Sequence, residues 1–201
     1  MSALELLNRQ WFMAINAPAD TPLWLIHCAG ALAEDVIFFL VPVLLAALWL
    51  WGGVTQRSMA LKAVLVVFVA LGINQLIALG WPHPRPDAAG LGKTWIAHAN
   101  DASFPSDHMT VLAGLGLTLL LDGGRRFGGL TLLAAALVGW ARIYLGVHFP
   151  LDMLGAVAVV ALCWLALTPL WWLAGRALTR RIETLYRTVF AWPILRGWVH
   201  R

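Results

Sequence analysis

Three short clusters carry side chains suited to phosphate chemistry. The first is Trp81-Pro82-His83-Pro84-Arg85-Pro86, and the second is Ser103-Phe104-Pro105-Ser106-Asp107-His108. The third joins Arg142 to His148 and Asp152. Asp152 follows His148 by four residues, about one helical turn. Pro150 suits the first turn of a helix, so His148 should sit just outside it, with Asp152 inside the first turn and reaching back. A carboxylate that holds one imidazole nitrogen fixes the tautomer and leaves the other nitrogen free to attack. Arg142 adds a planar, permanently charged fork for phosphate oxygens. Taken alone, this cluster reads equally well as a helix cap beside an interfacial arginine.

In the second cluster, Pro105 marks the start of another helix, whose first amides attract anions. Ser106 can add a hydroxyl donor, and His108 stands where it could protonate a leaving oxygen. A plain cap with an interfacial histidine accounts for this cluster equally well by itself. In the first cluster, three prolines stiffen a segment that presents His83 and Arg85. Together the clusters put two arginines and two or three histidines on one membrane face. Ionisable groups at membrane boundaries are costly and usually functional.

The elements that must position these residues are membrane helices. Of the 201 residues, 61% are hydrophobic and 12% charged, and the mean hydropathy is +0.77. A soluble domain has about 45–50% apolar and about 25% charged residues. Twelve tryptophans, many at the ends of apolar runs, suit membrane–water interfaces. The net charge of +4 comes from short loops and the C-terminal region. That placement suits topology and anionic headgroups rather than nucleic acid, for which no motif is present. Cys28 and Cys163 lie far apart in apolar segments and read as packing residues.

Apolar length predicts five spans: 35–51, 59–79, 105 to just before 122, 130–147 and 150–174. The expected fold is an all-α, polytopic bundle of about five to six spans. Residues 1–175 form a membrane domain and 176–201 a basic, amphipathic cytoplasmic tail. Within 1–33, Leu4, Leu7, Trp11 and Ile15 follow helical spacing, which predicts an amphipathic surface helix. This start lacks the layout of a cleavable signal peptide. Residues 22–32 are apolar but short, and read either as a half-helix or as the first part of a long span interrupted at Glu34-Asp35. Glu34 and Asp35 read as a helix-start cap or as part of the site mouth, and Asn100 and Asp101 as loop or cap residues. With five crossings, Arg57, Lys62, Arg125, Arg126, Arg176, Arg180, Arg181, Arg187 and Arg196 all fall on one side. That side should be the cytoplasm. The three clusters then face the other side.

These clusters resemble the signature of the type 2 phosphatidic acid phosphatase (PAP2) superfamily. That signature is Lys, six residues, Arg-Pro; then Pro-Ser-Gly-His; then Ser-Arg, five residues, His, three residues, Asp. Arg85-Pro86 is similar to the end of the first motif. Pro105-Ser106-Asp107-His108 matches the second, with Asp for Gly. Arg142, His148 and Asp152 match the third, with Ala141 where Ser is usual. Ala78 stands where the first motif has Lys, so one phosphate-binding cation is missing, and His83 or Lys93 is a candidate replacement. Residues 100–108 and 144–155 resemble the undecaprenyl pyrophosphate phosphatases of this superfamily.

The resemblance implies a PAP2-type fold, a bacterial inner-membrane location and a site facing the periplasm. It implies His148 as nucleophile, Asp152 as its orienting acid and His108 as proton donor to the leaving group. Arg85, Arg142, Ser106, Asp107 and His83 would bind phosphate. It implies no metal and no cofactor, an isoprenoid lipid pyrophosphate as substrate, and membrane lipid as surroundings. The motifs read phosphate and not the lipid tail. Phosphatidylglycerophosphate hydrolysis and phosphate transfer to lipid A therefore stay open, as does a non-enzymatic anion transporter. Oligomeric state is not legible.

Overall fold

A computed structural model describes residues 2–98 and 101–200, so Asn100 lies outside the described residues. Among the described residues seven helices follow in order: α1 (Ala3–Ile15), α2 (Leu23–Leu50), α3 (Val54–Gly80), α4 (Asp107–Leu121), α5 (Arg125–Tyr144), α6 (Pro150–Val189) and α7 (Ala191–Leu195). There is no strand among the described residues. Helices α2, α3, α5 and α6 are long and apolar enough to cross a membrane, and α4 is a shorter apolar helix. At 1.5 Å per residue, the 15 residues of α4 give only about 22 Å, below the roughly 30 Å of a bilayer core. Its short reach is tolerable because α4 is the inner helix. It packs extensively on α5, α3 and α6, and Thr110, Leu112, Leu115 and Leu119 are buried.

Two polar contacts fix α4 antiparallel to α3. Near one end, Asn74 donates to Thr110 Oγ1 at 2.9 Å and to Asp107 Oδ1 at 2.8 Å. Near the other, Lys62 donates to Asp122 Oδ1 at 2.8 Å. Close approach at the α4–α5 seam needs small residues: a Cβ on Gly128 would lie 2.4 Å from the backbone nitrogen of Leu120.

Three expectations require correction. The first span does not begin near 35: α2 starts at Leu23 and passes Glu34 and Asp35 without a break. Glu34 is accommodated because its charge meets Arg142 of α5 at 2.9 Å. Neither acid is therefore a helix-start cap. Second, α3 begins at Val54, ahead of 59, and α5 covers Arg125–Tyr144 instead of 130–147. Third, α6 does not end near 174. It runs for 40 residues, about 60 Å, twice what a crossing needs, so its last part projects beyond the apolar layer. The chain then turns back, and His200 donates its amide to Leu50 O at 2.8 Å.

Helix α1 forms as expected and lies across the ends of α5 and α6. Asn8 accepts the Leu151 amide at 3.0 Å, and Phe12 meets Phe149 edge-on with ring centroids 5.3 Å apart. The outward face of α1 keeps Leu4, Leu7 and Trp11 exposed, as an interfacial helix would. Helix α1 and residues 81–98 and 101–106 together cover the bundle end where α4 and α6 begin and α3 and α5 finish.

Candidate active site

His148 sits in the tight turn between α5 and α6. Gly146, with φ at +81°, makes this turn, and a Cβ there would lie 2.2 Å from Lys93 O. A side chain at 146 would thus meet both backbone strain and a fixed carbonyl. Asp152, in the first turn of α6, directs Oδ2 back to the Phe149 amide at 2.8 Å. The same oxygen accepts His148 Nδ1–H at 3.1 Å and the Ser103 hydroxyl. Both His148 and Asp152 are buried. Arg85 Nη1, which can only donate, faces Nε2 at 3.3 Å, so the neutral imidazole carries its proton on Nδ1 and its lone pair on Nε2. Burial, followed by the charges of Arg142 and Arg85, holds the imidazole of His148 well below its ordinary value of 6.5. The ring is thus neutral, the form a nucleophile needs.

A cavity of about 420 Å³ opens beside this ring, lined among others by Glu34, Arg85, Asp101, His108, Arg142 and His148. Arg85 is buried and donates from Nη1 to Val147 O at 3.0 Å, with His148 Nε2 at 3.3 Å from the same nitrogen. Arg142 is buried as well. Its Nε and His108 Nε2 are buried without a hydrogen-bond partner in the structure, and leaving such groups unpaired is costly. Both residues line the cavity, so an anion placed there would satisfy them.

The sequence-derived residues divide. His148, His108, Arg85, Arg142 and Asp107 share the cavity wall, with Asp152 behind His148. Asp107 turns its carboxylate towards α3, where Asn74 donates to Oδ1 at 2.8 Å and Gln75 to Oδ2 at 3.4 Å. Its charge is thereby partly met, while the start of α4 still faces the cavity. Ser106 stands outside the cavity lining. It is fully buried, caps the Met109 amide at 3.5 Å, and donates its own amide to Asp152 O at 3.3 Å. It therefore ties α4 to α6. His83 also stands apart, 3.6 Å from Glu5 Oε2 and edge-on to Phe149. Lys93 Nζ lies over the Trp95 ring at 3.8 Å. Ala78 does line the cavity, and neither His83 nor Lys93 is among its lining residues; His83 shares a neighbouring cleft with Ala78, Arg85 and Asp101.

Sequence reasoning missed the role of Ser103. Ser103 is the third donor to Asp152 Oδ2, and its only signal was that it lies in the same cluster as His108. Glu34 reaches the cavity from the middle of α2. Of its two expected places, helix-start cap or site mouth, it takes the second, held there by Arg142.

Residues 59–176 match the family described as the PAP2 superfamily. YbjG of Escherichia coli (strain K12), provisionally named an undecaprenyl-diphosphatase, is 39% identical over 196 residues, 98% of each chain. The undecaprenyl-diphosphatase BcrC of Bacillus subtilis (strain 168) is 38% identical over 117 residues, 58% of this chain and 60% of that one. The crystal structure of Aquifex aeolicus LpxE gives a TM-score of 0.61 at 24% identity, covering 80% of this chain and 93% of that one. That of a transmembrane PAP2-type phosphatidylglycerolphosphate phosphatase from Bacillus subtilis gives 0.61 at 20% identity, covering 85% and 87%. At these identities the structural likeness concerns the fold.

Proposed function

The chain belongs to the PAP2 superfamily, and from that premise we propose that it hydrolyses undecaprenyl pyrophosphate to undecaprenyl phosphate and inorganic phosphate. The observation that carries the chemistry is His148, held at Nδ1 by Asp152 and presenting Nε2 to a cavity walled by two buried arginines. The substrate class rests on the relatives named for this activity, YbjG along nearly the whole chain. By this reading the site faces the periplasm of a bacterial inner membrane, because the basic loops cluster at the opposite end. Released undecaprenyl phosphate would return to use as the cell-wall carrier lipid. The largely apolar face of α2 formed by Ala31, Leu32, Val36, Phe39, Leu40 and Val43, with Asp35 among them, is a candidate seat for the isoprenoid tail.

The reaction runs in two halves. Nε2 of His148 attacks the terminal phosphorus. As the N–P bond forms, the anhydride P–O bond breaks, and His108, having taken up a proton as the anionic headgroup binds, gives it to the departing lipid phosphate. Asp152 stabilises the positive imidazole that results, as a buried carboxylate does for a catalytic histidine. Arg85 and Arg142 balance the charge on the equatorial oxygens, aided by the amides of the first turn of α4. Arg85 must then exchange His148 Nε2 for a phosphate oxygen. In the second half, water attacks phosphorus while His108 takes its proton. The N–P bond breaks, and phosphate leaves.

The test is phosphate release from undecaprenyl pyrophosphate by purified protein, with phosphatidylglycerophosphate and a lipid A phosphate as parallel substrates. The proposal expects the fastest turnover on the first. Preference for either of the others would overturn the substrate assignment, and binding of all three without turnover would favour an anion carrier.

A further inference from the structure

The two cavity arginines already carry anions. Arg142 Nη1 donates to Glu34 Oε1 at 2.9 Å. Arg85 donates from Nε and Nη2 to Asp101 Oδ1 at 3.0 and 2.7 Å. Both pairs are lopsided. The Arg142 side chain is 7% exposed and Glu34 45%, while Arg85 is 9% exposed and Asp101 61%. The cations are set in the wall, and the carboxylates are wet. The carboxylates also come from separate elements, α2 and the segment before α4, and both line the cavity. An ion pair with one solvated partner is weak and exchangeable. A phosphate group presents arginine with the same bidentate geometry and more charge.

We propose that Glu34 and Asp101 are placeholder anions. They hold Arg142 and Arg85 while the cavity is empty, yield to a pyrophosphate headgroup, and retake the arginines so that inorganic phosphate leaves. This inference rests on the assignment of Arg85 and Arg142 as phosphate ligands. Two cations and two carboxylates cancel formally, so the empty cavity is not a trap for any passing anion. A ligand gains only if it brings more charge and more acceptor oxygens than the two carboxylates it displaces. A pyrophosphate spanning both arginines does so, and a single phosphate does so less. The placeholders therefore favour the substrate headgroup over the free product. Were the pairs purely structural, both partners would be expected to be buried, as Arg57 and Glu183 are.

The experiment is phosphate affinity in the full chain, in detergent, for the native protein, Glu34→Gln and Asp101→Asn. Affinity is read twice: as competitive inhibition of turnover, and as the phosphate concentration that raises the melting temperature when no lipid substrate is present. Removing one competing carboxylate should tighten phosphate by about tenfold, a change of about 1.4 kcal/mol. KM should fall and kcat should fall with it as product release slows. Glu34→Asp should move both back towards native values. Damage to a merely structural pair would instead weaken phosphate and lower the melting temperature. Phosphate binding that is unchanged or weaker in both Gln and Asn variants overturns the proposal, and Asp101→Asn, at an exposed position, remains readable if the α2 variant does not fold. The thermal measurement needs no turnover, so it stands even if His148 proves not to be the nucleophile. Arg142→Ala tests the premise: it should abolish the phosphate effect, and an undiminished effect there would remove the premise and the inference together.

Discussion

The two ends of the bundle use buried cations in opposite ways. At the end away from the cavity, Arg57 is enclosed on every side. It bonds Glu183 Oε1 at 3.2 Å, Trp49 O at 2.9 Å and His200 O at 2.9 Å, and lies 4.6 Å from the Tyr186 ring centroid. Lys62 is likewise buried, bonded to Asp122 and set over Trp164 at 4.8 Å. At the cavity end, Arg85 and Arg142 are just as deeply set, yet their carboxylate partners face solvent and Arg142 Nε has none. Burial of a charge is thus common to both ends and distinguishes neither. What separates a clamp from a binding group is whether the partners are closed in with it. The Arg57 cluster joins α2, α3, the late part of α6 and His200, and its carboxylate partner is buried with it. The Arg85–Arg142 pair leaves donors facing a cavity.

This contrast can be broken by substitution. The largest effect belongs to the cavity end: His148→Ala should lower turnover by at least about 10⁴-fold without changing the melting temperature of the detergent-solubilised protein by more than a few degrees, as followed by phosphate release and tryptophan fluorescence. At the far end, Arg57→Ala should do the reverse. It leaves Glu183 buried without its partner, a loss of about 3–5 kcal/mol in stability, while turnover per folded molecule stays near native. Denaturant titration alongside active-site counting checks both, and a turnover defect with unchanged stability would erase the distinction between the ends.

Smaller effects sharpen the cavity end. Ser103→Ala removes a hydrogen bond to a charged carboxylate, worth about 1.5–3 kcal/mol. A drop in kcat of about 10–100-fold with little change in KM is expected, because Ser103 touches Asp152 and not the cavity. The smallest is a pH effect. His148 is held below 6.5 in the folded chain, so the unfolded chain binds the extra proton, and stability falls as pH drops below about 6.5. Above that value His148 contributes no slope. In denaturant titrations the native chain should therefore lose stability relative to His148→Gln between about pH 7 and about pH 5. A constant difference would show that the ring is not held neutral.

The legible part of this architecture is the part where chemistry restricts residue type. A nucleophilic histidine needs its acid one turn away, and phosphate needs arginine, so His148, Asp152, Arg85, Arg142 and His108 stood out by type and spacing. The apolar runs likewise announced an all-helical membrane protein. The start of α2 was illegible because two acids in an apolar run read as a break, and only Arg142, more than a hundred residues on, neutralises Glu34. The end of α6 was hidden because apolar length marks where lipid ends, not where a helix does. Beyond the bilayer that helix is held by Glu183 and Tyr186 against Arg57, contacts that periodicity does not encode. Ser103 carries no local mark of its role, since its bond to Asp152 exists only once α6 lies beside residue 103. His83 shows the converse. Its type and its motif suited phosphate, but the fold turns it towards Glu5.

The central claim is that His148 forms a bond to phosphorus, and trapping that bond tests it most directly. Undecaprenyl pyrophosphate labelled in its terminal phosphate would be mixed with the native chain, quenched at high pH within one turnover, and the protein mapped by mass spectrometry. The account predicts label on His148, acid-labile and base-stable, and none in His148→Ala. Native turnover with no label on His148, or label on another side chain, would contradict it.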